Sequence, residues 1–142
     1  MFGGWSLYAK DGRPIYCYNL FGLKRTKIEG NKTLPAGEHQ VRMEFAYDGG
    51  GLGKGAKISL FIDGEKIGEG RIEQSTPVLF SLDDKTNVGH DGGTPVSDDY
   101  TCAGSDFNGQ VKWIQIDIGE DAKNPNHKIS PEERYRVAMA LQ

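Results

Sequence analysis

Three aspartates, Asp91, Asp98 and Asp99, stand close together in a polar segment, residues 83–106, that Gly and Pro interrupt repeatedly. Carboxylates and loop carbonyl oxygens are ligands that Ca²⁺ prefers. The segment therefore contains a candidate calcium site. The competing interpretation is a solvated acidic loop, and the sequence favours it because no EF-hand spacing accompanies the carboxylates.

Four aromatic residues near the amino terminus could bind a sugar ring. Trp5, Tyr8, Tyr16 and Tyr18 lie on two adjacent predicted strands. An exposed aromatic face can cover the apolar side of a pyranose while polar neighbours bond its hydroxyls. The competing interpretation is that these side chains fill the hydrophobic core. The sequence favours the core and leaves a glycan-binding face as the alternative.

Residues suited to nucleophilic or metal chemistry do not fall into a recognised spacing. The chain has no Gly-x-Ser-x-Gly elbow and no Cys-x-x-Cys or His-x-x-x-His pair. His39, His90 and His127 are far apart and are interpreted as surface or loop histidines. Cys17 and Cys102 are too few for a disulfide framework, so two free thiols are favoured over a single bridge. We therefore predict no catalytic residue in this chain.

The glycine-dense segment 48–55 looks at first like a phosphate-binding loop. A Walker A motif needs Gly, four residues, and then Gly-Lys-Ser/Thr, whereas Asp48 occupies the first position here and Gly55 the last. A dinucleotide-binding loop would have to lead into a helix, and a strand is predicted to follow. The segment is interpreted as a connection between two strands.

Short strands must position these residues, because apolar and polar side chains alternate between clear turn signals. Asp11-Gly12 and Asp63-Gly64 favour tight hairpins. The strands predicted in this way cover residues 5–8, 15–21, 25–29, 40–47, 57–62 and 66–72, with further candidates at 78–82, 87–88 and 110–118.

The last candidate strand differs from the others because both of its faces are apolar. Ile114, Ile116 and Ile118 form one row, and Val111 and Trp113 form the other. Such a strand has both faces at least partly covered.

One segment, residues 131–141, is predicted to be helical. Ser130 can cap the helix, Pro131 suits its first position, and Glu133 completes a Ser-x-x-Glu capping box. Strands with Gly-rich turns and one short terminal helix predict an all-β, two-sheet antiparallel sandwich. With 142 residues, a single domain over residues 1–142 can bury a sizeable core.

The charge balance bears on the partners. Lys and Arg number 17 and Asp and Glu number 20, so the formal net charge is −3. Without a basic excess or a basic run, a nucleic-acid or anionic-membrane partner is not expected. No apolar stretch is long enough to span a bilayer.

Blocks of residues along nearly the whole chain combine into a family pattern. The blocks are Gly3-Gly4-Trp5-Ser6-Leu7-Tyr8, Lys10-Asp11-Gly12, Tyr16-Cys17-Tyr18-Asn19, Leu34-Pro35-Ala36-Gly37, Val41-Arg42-Met43-Glu44-Phe45, residues 47–55, Phe61-Ile62-Asp63-Gly64, Val88-Gly89, Gly93-Thr94-Pro95-Val96 and residues 129–134. In this order they resemble the carboxy-terminal domain of bacterial arylsulfatases. The order of strands and Asp-Gly hairpins is also similar, more loosely, to jelly-roll sandwiches of the concanavalin-A-like and laminin-G-like kind.

The arylsulfatase resemblance implies a parent protein that hydrolyses sulfate esters with a formylglycine and a bound calcium. The formylglycine arises from a Cys/Ser-x-Pro/Ala-x-Arg motif, and neither Cys17 nor Cys102 is followed by that pattern. We therefore expect the catalytic domain, and both cofactors, to lie upstream of these residues.

Three functions follow as hypotheses. The first is a non-catalytic accessory domain of an arylsulfatase that packs on the catalytic domain and stabilises it. The second is a carbohydrate-binding module that recognises a sulfated glycan. The third is an independent protein-interaction domain. The residues do not specify a compartment, and a periplasmic, secreted or cytoplasmic parent is compatible with them.

Overall fold

The computed structural model describes residues 3–77 and 85–116, and this part of the chain is all-β. Strands β1, β2 and β3 form one antiparallel sheet in that order, and strands β4, β5 and β6 form a second. The predicted two-sheet antiparallel architecture is confirmed. The strands are β1 (Gly4–Lys10), β2 (Arg13–Leu20), β3 (Lys24–Glu29), β4 (Val41–Tyr47), β5 (Ala56–Ile62) and β6 (Glu65–Ile72), and a short 3₁₀ helix covers Cys102–Gly104.

Both Asp-Gly dipeptides form the tight hairpins that the sequence predicts. Asp11 and Gly12 have φ values of 51° and 76°, and Asp63 and Gly64 have values of 49° and 84°. Positive φ at both central residues matches the twist of the flanking strands. These turns fix the register of β1 with β2 and of β5 with β6.

The two sheets face each other across one core. Strand β2 contributes Tyr16 and Tyr18 and strand β3 contributes Ile28, all of them buried. The second sheet contributes Ala56, Ile58, Leu60, Ile62, Ile67 and Ile72. Full burial of one large aliphatic side chain contributes about 1.5–3 kcal/mol, so this cluster is the main source of stability.

Two glycines allow β3 to approach β6 closely. Gly68 and Gly70 lie on the core side of β6, opposite Leu60 and Ile58 of β5. A methyl group on Gly70 would lie 2.5 Å from Cγ1 of Ile28, and one on Gly68 would lie 2.8 Å from the carbonyl oxygen of Glu29. Strands β3 and β6 can therefore approach closely only because β6 has no side chain at these two positions.

Two of the candidate strands do not form in the described residues. Residues 87–88 form no strand, because Gly89 turns the chain at once with a φ of 81° and its carbonyl accepts a hydrogen bond from the Phe107 amide. Residues 110–116 belong to no sheet and are exposed. The candidate strand at 78–82, residues 117–118 and the predicted helix at 131–141 lie outside the described residues.

Within the described ranges, the chain has no helix with the length and apolar character needed to cross a bilayer.

Replacing Gly70 by Ala is expected to destabilise the fold by about 1–3 kcal/mol, because the added methyl group overpacks the contact with Ile28. Urea unfolding followed by tryptophan fluorescence measures the change. Gly92→Ala is the matched control, since a methyl group there meets its nearest neighbours at 3.4 Å. Equal stability of the two variants would contradict the role given to Gly70.

Candidate functional site

The segment from Asp91 to Tyr100 covers the outer face of the first sheet, the face turned away from the core. Strand alternation places Ser6, Cys17 and Lys27 in one row across this face. The hydroxyl of Tyr100 accepts a hydrogen bond from Ser6 Oγ at 3.0 Å, and the thiol of Cys17 lies 3.9 Å from the carbonyl oxygen of Val96. Strand β2 is therefore covered on both sides, which explains why its residues from Pro14 to Asn19 are all buried.

Tyr8 and Asp99 form the centre of the polar contact on this face. The Tyr8 hydroxyl donates to the Asp99 carboxylate and lies 2.9 Å from Ser97 Oγ. Lys10 Nζ lies 3.2 Å and Lys27 Nζ lies 2.9 Å from Asp99 Oδ1. One carboxylate thus links both outer strands of the sheet, β1 and β3, to the covering segment.

The protonation states of this centre follow from its surroundings. Burial raises the pKa of Tyr8 far above its usual range, and the hydrogen bond to Asp99 raises it further. The hydrogen bond from Tyr8, followed by that from Lys27, holds the pKa of Asp99 well below its usual range. At neutral pH Tyr8 therefore keeps its proton and Asp99 stays ionised. A base that holds protons so weakly is poorly matched to proton transfer near neutral pH, and the arrangement is suited to joining folded elements.

The three predicted calcium ligands have different partners. The Asp91 carboxylate accepts hydrogen bonds from the Tyr100 hydroxyl at 2.8 Å and from the Val96 amide at 3.1 Å. Asp98 and Asp99 share the ammonium group of Lys27, which occupies the position between the two carboxylates that a cation would take. Among residues 3–77 and 85–116, no three His, Cys, Asp or Glu side chains come together in a geometry that could hold a metal ion. A calcium ion in the 83–106 segment therefore stays a prediction. The described residues contain no group of side chains that could bind it.

The four aromatic candidates for sugar binding are divided between the two faces of the first sheet. Trp5 is on the core side, where its ring stacks on Tyr16 with centroids 6.3 Å apart, and it is 45% exposed. Tyr16 and Tyr18 are buried in the core, and the Tyr18 hydroxyl accepts a hydrogen bond from the Thr76 amide. Tyr8 is on the outer face under the covering segment. The four rings therefore do not form one exposed platform, because positions 5 and 8 of a strand point to opposite sides.

An open groove of about 470 Å³ lies beside this network and was not found by sequence reasoning. Its cationic side chains are Lys10, Arg13 and Lys27, and its carboxylates include Glu29 and Asp99. Arg13 is paired with Glu29 at 3.2 Å, as Lys10 and Lys27 are with Asp99. Only strand register brings these charges together, so their spacing along the chain gave no signal. The groove can accept a polar ligand, but its cations are already matched by anions.

The two cysteines are free thiols, as the sequence favours. Cys17 is buried and Cys102 is exposed. Burial raises the pKa of the Cys17 thiol, which leaves little of the reactive thiolate at neutral pH.

His39 joins the residues just before β4 to the β5–β6 hairpin through a contact with Asp63. Its Nδ1 lies 2.6 Å from Oδ2 of Asp63, and Asp63 Oδ1 accepts a hydrogen bond from the Gln40 amide at 2.9 Å. The hydrogen bond that His39 donates to Asp63 raises the pKa of His39, and the same contact lowers the pKa of Asp63. No nucleophile accompanies this pair in the contacts described, so it is interpreted as structural.

Comparison with known protein families, curated proteins and solved structures finds no match for this chain. The resemblance to arylsulfatases therefore rests on the residue blocks alone.

Asp99→Asn is expected to reduce stability at pH 7 by about 1–3 kcal/mol, because a hydrogen-bonded charge is lost beside two lysines. In the native protein the pKa of Asp99 is lowered on folding, so its stabilising effect is present above the unfolded value of about 3.9 and fades as the pH falls through the lower folded value. Urea unfolding between pH 2 and pH 7 should show a flatter acid limb for the variant. The exposed Asp106→Asn should leave the profile unchanged, and an equal effect of both variants would contradict the assignment.

The His39 contact predicts a second pH dependence of opposite sign. The folded pKa of His39 is raised, so its contribution is fully present below the unfolded value of about 6.5 and is lost as the pH rises through the folded value. NMR titration of the His39 ring should give a higher pKa than in Asp63→Asn. An unchanged His39 titration in that variant would show that the contact has no effect in solution.

Proposed function

We propose that this domain is the non-catalytic accessory domain of an arylsulfatase, a sulfuric ester hydrolase. In this proposal the catalytic domain precedes these residues in the parent chain and holds the formylglycine and the calcium. The present domain packs on it and stabilises it. The observation that carries the proposal is the ordered set of residue blocks that resembles the arylsulfatase carboxy-terminal domain along nearly the whole chain.

The positions of those blocks in the fold agree with an architectural role. Lys10-Asp11-Gly12 and the block ending at Asp63-Gly64 form hairpins. The block from Gly93 to Val96 belongs to the segment that covers β2. The shared residues therefore build turns and packing contacts, as expected of a domain that supports another.

The chemistry of the outer face supports the same proposal. Its titratable groups are engaged with one another, and the shifts in their pKa values favour fixed protonation states. Such a network can hold a segment in place against a sheet, whereas catalysis needs a group that exchanges protons near the working pH.

One end of the sandwich offers a surface for the catalytic domain. Leu23, in the turn between β2 and β3, is 85% exposed. The glycine segment 48–55 lies at the same end of the sandwich. The Ser75 amide donates a hydrogen bond to the Lys54 carbonyl, and the amide of the next residue, Thr76, donates one to the hydroxyl of Tyr18 near the end of β2. Methyl groups on Gly49, Gly50 and Gly51 would meet no atom within 4 Å, so these three residues of the segment have open space around them.

The reading frame upstream of Met1 tests the parent protein directly. We expect it to continue into an α/β domain with a Cys/Ser-x-Pro/Ala-x-Arg motif, and we expect 4-nitrophenyl sulfate to be hydrolysed by the whole protein and not by the 142-residue chain. A stop codon directly upstream would overturn the proposal. Glycan-array binding by this chain that Trp5→Ala abolishes would favour the carbohydrate-binding alternative.

In the whole protein, Leu23→Asp is expected to lower the midpoint of thermal inactivation by a few degrees, because the exposed leucine would lose its cover in the domain contact. Lys24→Asp is the matched control, being exposed and adjacent. If both variants lower the midpoint of thermal inactivation equally, the contact with the catalytic domain does not lie at this end of the sandwich.

A further inference from the structure

The dipeptide Asn108-Gly109 has the residue types at which an asparagine side chain can lose its amide group. In that reaction the backbone nitrogen of the following residue attacks the side-chain amide carbon and closes a ring within the chain. The two reacting atoms belong to neighbouring residues, so the chain itself holds them near each other. A following glycine favours the attack, because it has no Cβ beside the nitrogen and its backbone adopts many conformations. Asn108 is the one asparagine in the sequence that glycine follows.

The fold leaves Asn108 accessible to this reaction. The Phe107 amide donates a hydrogen bond to the Gly89 carbonyl at 2.7 Å, and the chain bends at the next two residues. Both Asn108 and Gly109 are exposed. Among the hydrogen bonds of the described residues, none involves the Asn108 side chain or the Gly109 amide. The amide carbon and the attacking nitrogen can therefore rotate toward each other without breaking a hydrogen bond in this part of the fold.

The other asparagines in the described ranges are less suited to the reaction. Asn19 is fully buried, and its Oδ1 accepts a hydrogen bond from the Gly22 amide at 2.7 Å. Asn31 and Asn87 are exposed, but they precede a lysine and a valine. The Cβ atom of each following residue hinders the approach of its own nitrogen to the side-chain carbon. These two positions therefore serve as internal references for Asn108.

Aspartates that precede glycine can close the same ring, but an ionised carboxylate resists attack. The four such aspartates are Asp11, Asp48, Asp63 and Asp91. The hydrogen bond from Arg71 lowers the pKa of Asp48, and that from His39 lowers the pKa of Asp63. The Asp91 carboxylate accepts two hydrogen bonds within its own segment. The neutral amide of Asn108 lacks this barrier at neutral pH.

We propose that Asn108 is a site of spontaneous deamidation in the folded protein. The Gly109 nitrogen forms a bond to Cγ of Asn108, and the bond from Cγ to Nδ2 breaks. The leaving nitrogen takes up the proton that the Gly109 amide has lost and departs as ammonia. Water then adds to one of the two carbonyl carbons of the cyclic imide. Cleavage between the nitrogen and Cγ gives aspartate, and cleavage between the nitrogen and the backbone carbonyl carbon gives isoaspartate.

Both products change the charge of this surface. Each adds one negative charge at residue 108, so the formal net charge goes from −3 to −4. Isoaspartate also lengthens the main chain by one carbon atom directly after Phe107. The protein therefore occurs in an amide form and a more acidic form, and the share of the acidic form grows with the age of the sample. The proposal does not depend on the resemblance to arylsulfatases.

Peptide mapping by mass spectrometry tests the proposal in the full 142-residue chain. The peptide that contains residue 108 should gain about 1 Da and acquire isoaspartate before the peptides that contain Asn31 or Asn87 change. The rate should rise with pH, because the attacking nitrogen must lose its proton. The same chain unfolded in urea is the reference for an unprotected site. Folded and unfolded protein should lose the Asn108 amide at rates within about threefold of each other.

A variant of the following glycine tests the chemistry of the ring closure. Gly109→Ala should slow the loss of the Asn108 amide about tenfold, because the new Cβ hinders the approach. A methyl group there would lie 2.6 Å from the Phe107 ring, so the variant is also combined with Phe107→Ala, and the double variant should stay slow. Gly92→Ala is the matched control in the same segment and should leave the rate unchanged.

Two results would overturn the proposal. The first is a folded chain that keeps the Asn108 amide while the chain in urea loses it, which would show that the fold protects this site. The second is an equal rate of amide loss at Asn108 and Asn87 in the folded chain, which would show that Gly109 gives Asn108 no advantage.

Discussion

Close approach of β3 and β6 is the constraint on which the rest of the structure depends. Gly68 and Gly70 remove the side chains that would separate the two strands, so Ile28 of the first sheet reaches the core of the second. Interiors pack at high density, and a single added methyl group is felt there. Because the sheets close along this side, Tyr16 and Tyr18 are core residues. The side chains that alternate with them along β2 therefore lie on the outer face.

The outer face is where the two sheets differ. On the second sheet it is solvated and charged, with Glu69 between Lys57 and Lys66 and with Arg42 over the Phe61 ring at 4.0 Å. On the first sheet it is covered by a segment that has little regular secondary structure and is held by side-chain hydrogen bonds. Polar groups buried in this way must be paired. Tyr8, Asp99 and Lys27 therefore serve to fix the segment, and a role as an architectural domain is consistent with groups that are occupied with one another.

The sequence predicts the six described strands well because each has a local cause. The Asp-Gly dipeptides require positive φ at their hairpins, and the alternation of apolar residues from Val41 to Tyr47 requires one covered face. Residues 110–116 show the limit of the same reasoning. Their pattern predicts a strand, but a strand exists only when its backbone has a partner, and a pattern along the chain does not name that partner.

The candidate site could be predicted only in its parts. Asp98 and Asp99 were recognisable as a pair of carboxylates, and Tyr8 as an aromatic residue that could bind a ligand. Their actual partners are 71 and 91 residues away along the chain: Lys27 for Asp98, and Tyr8 for Asp99. Such contacts depend on which face of the sheet each residue occupies and on where the segment from Asp91 to Tyr100 packs. Local composition indicates neither of these.

By itself the sequence determined the all-β class, the two hairpins and most of the strand boundaries, because backbone conformation and alternation are local properties. The tertiary structure alone decided which aromatic rings are buried, that Lys27 lies between two aspartates, and that strands β3 and β6 meet closely at Gly68 and Gly70. Those outcomes follow from the packing of two sheets against each other and of a distant segment on one of them. They depend on distances across the fold that no spacing along the chain contains.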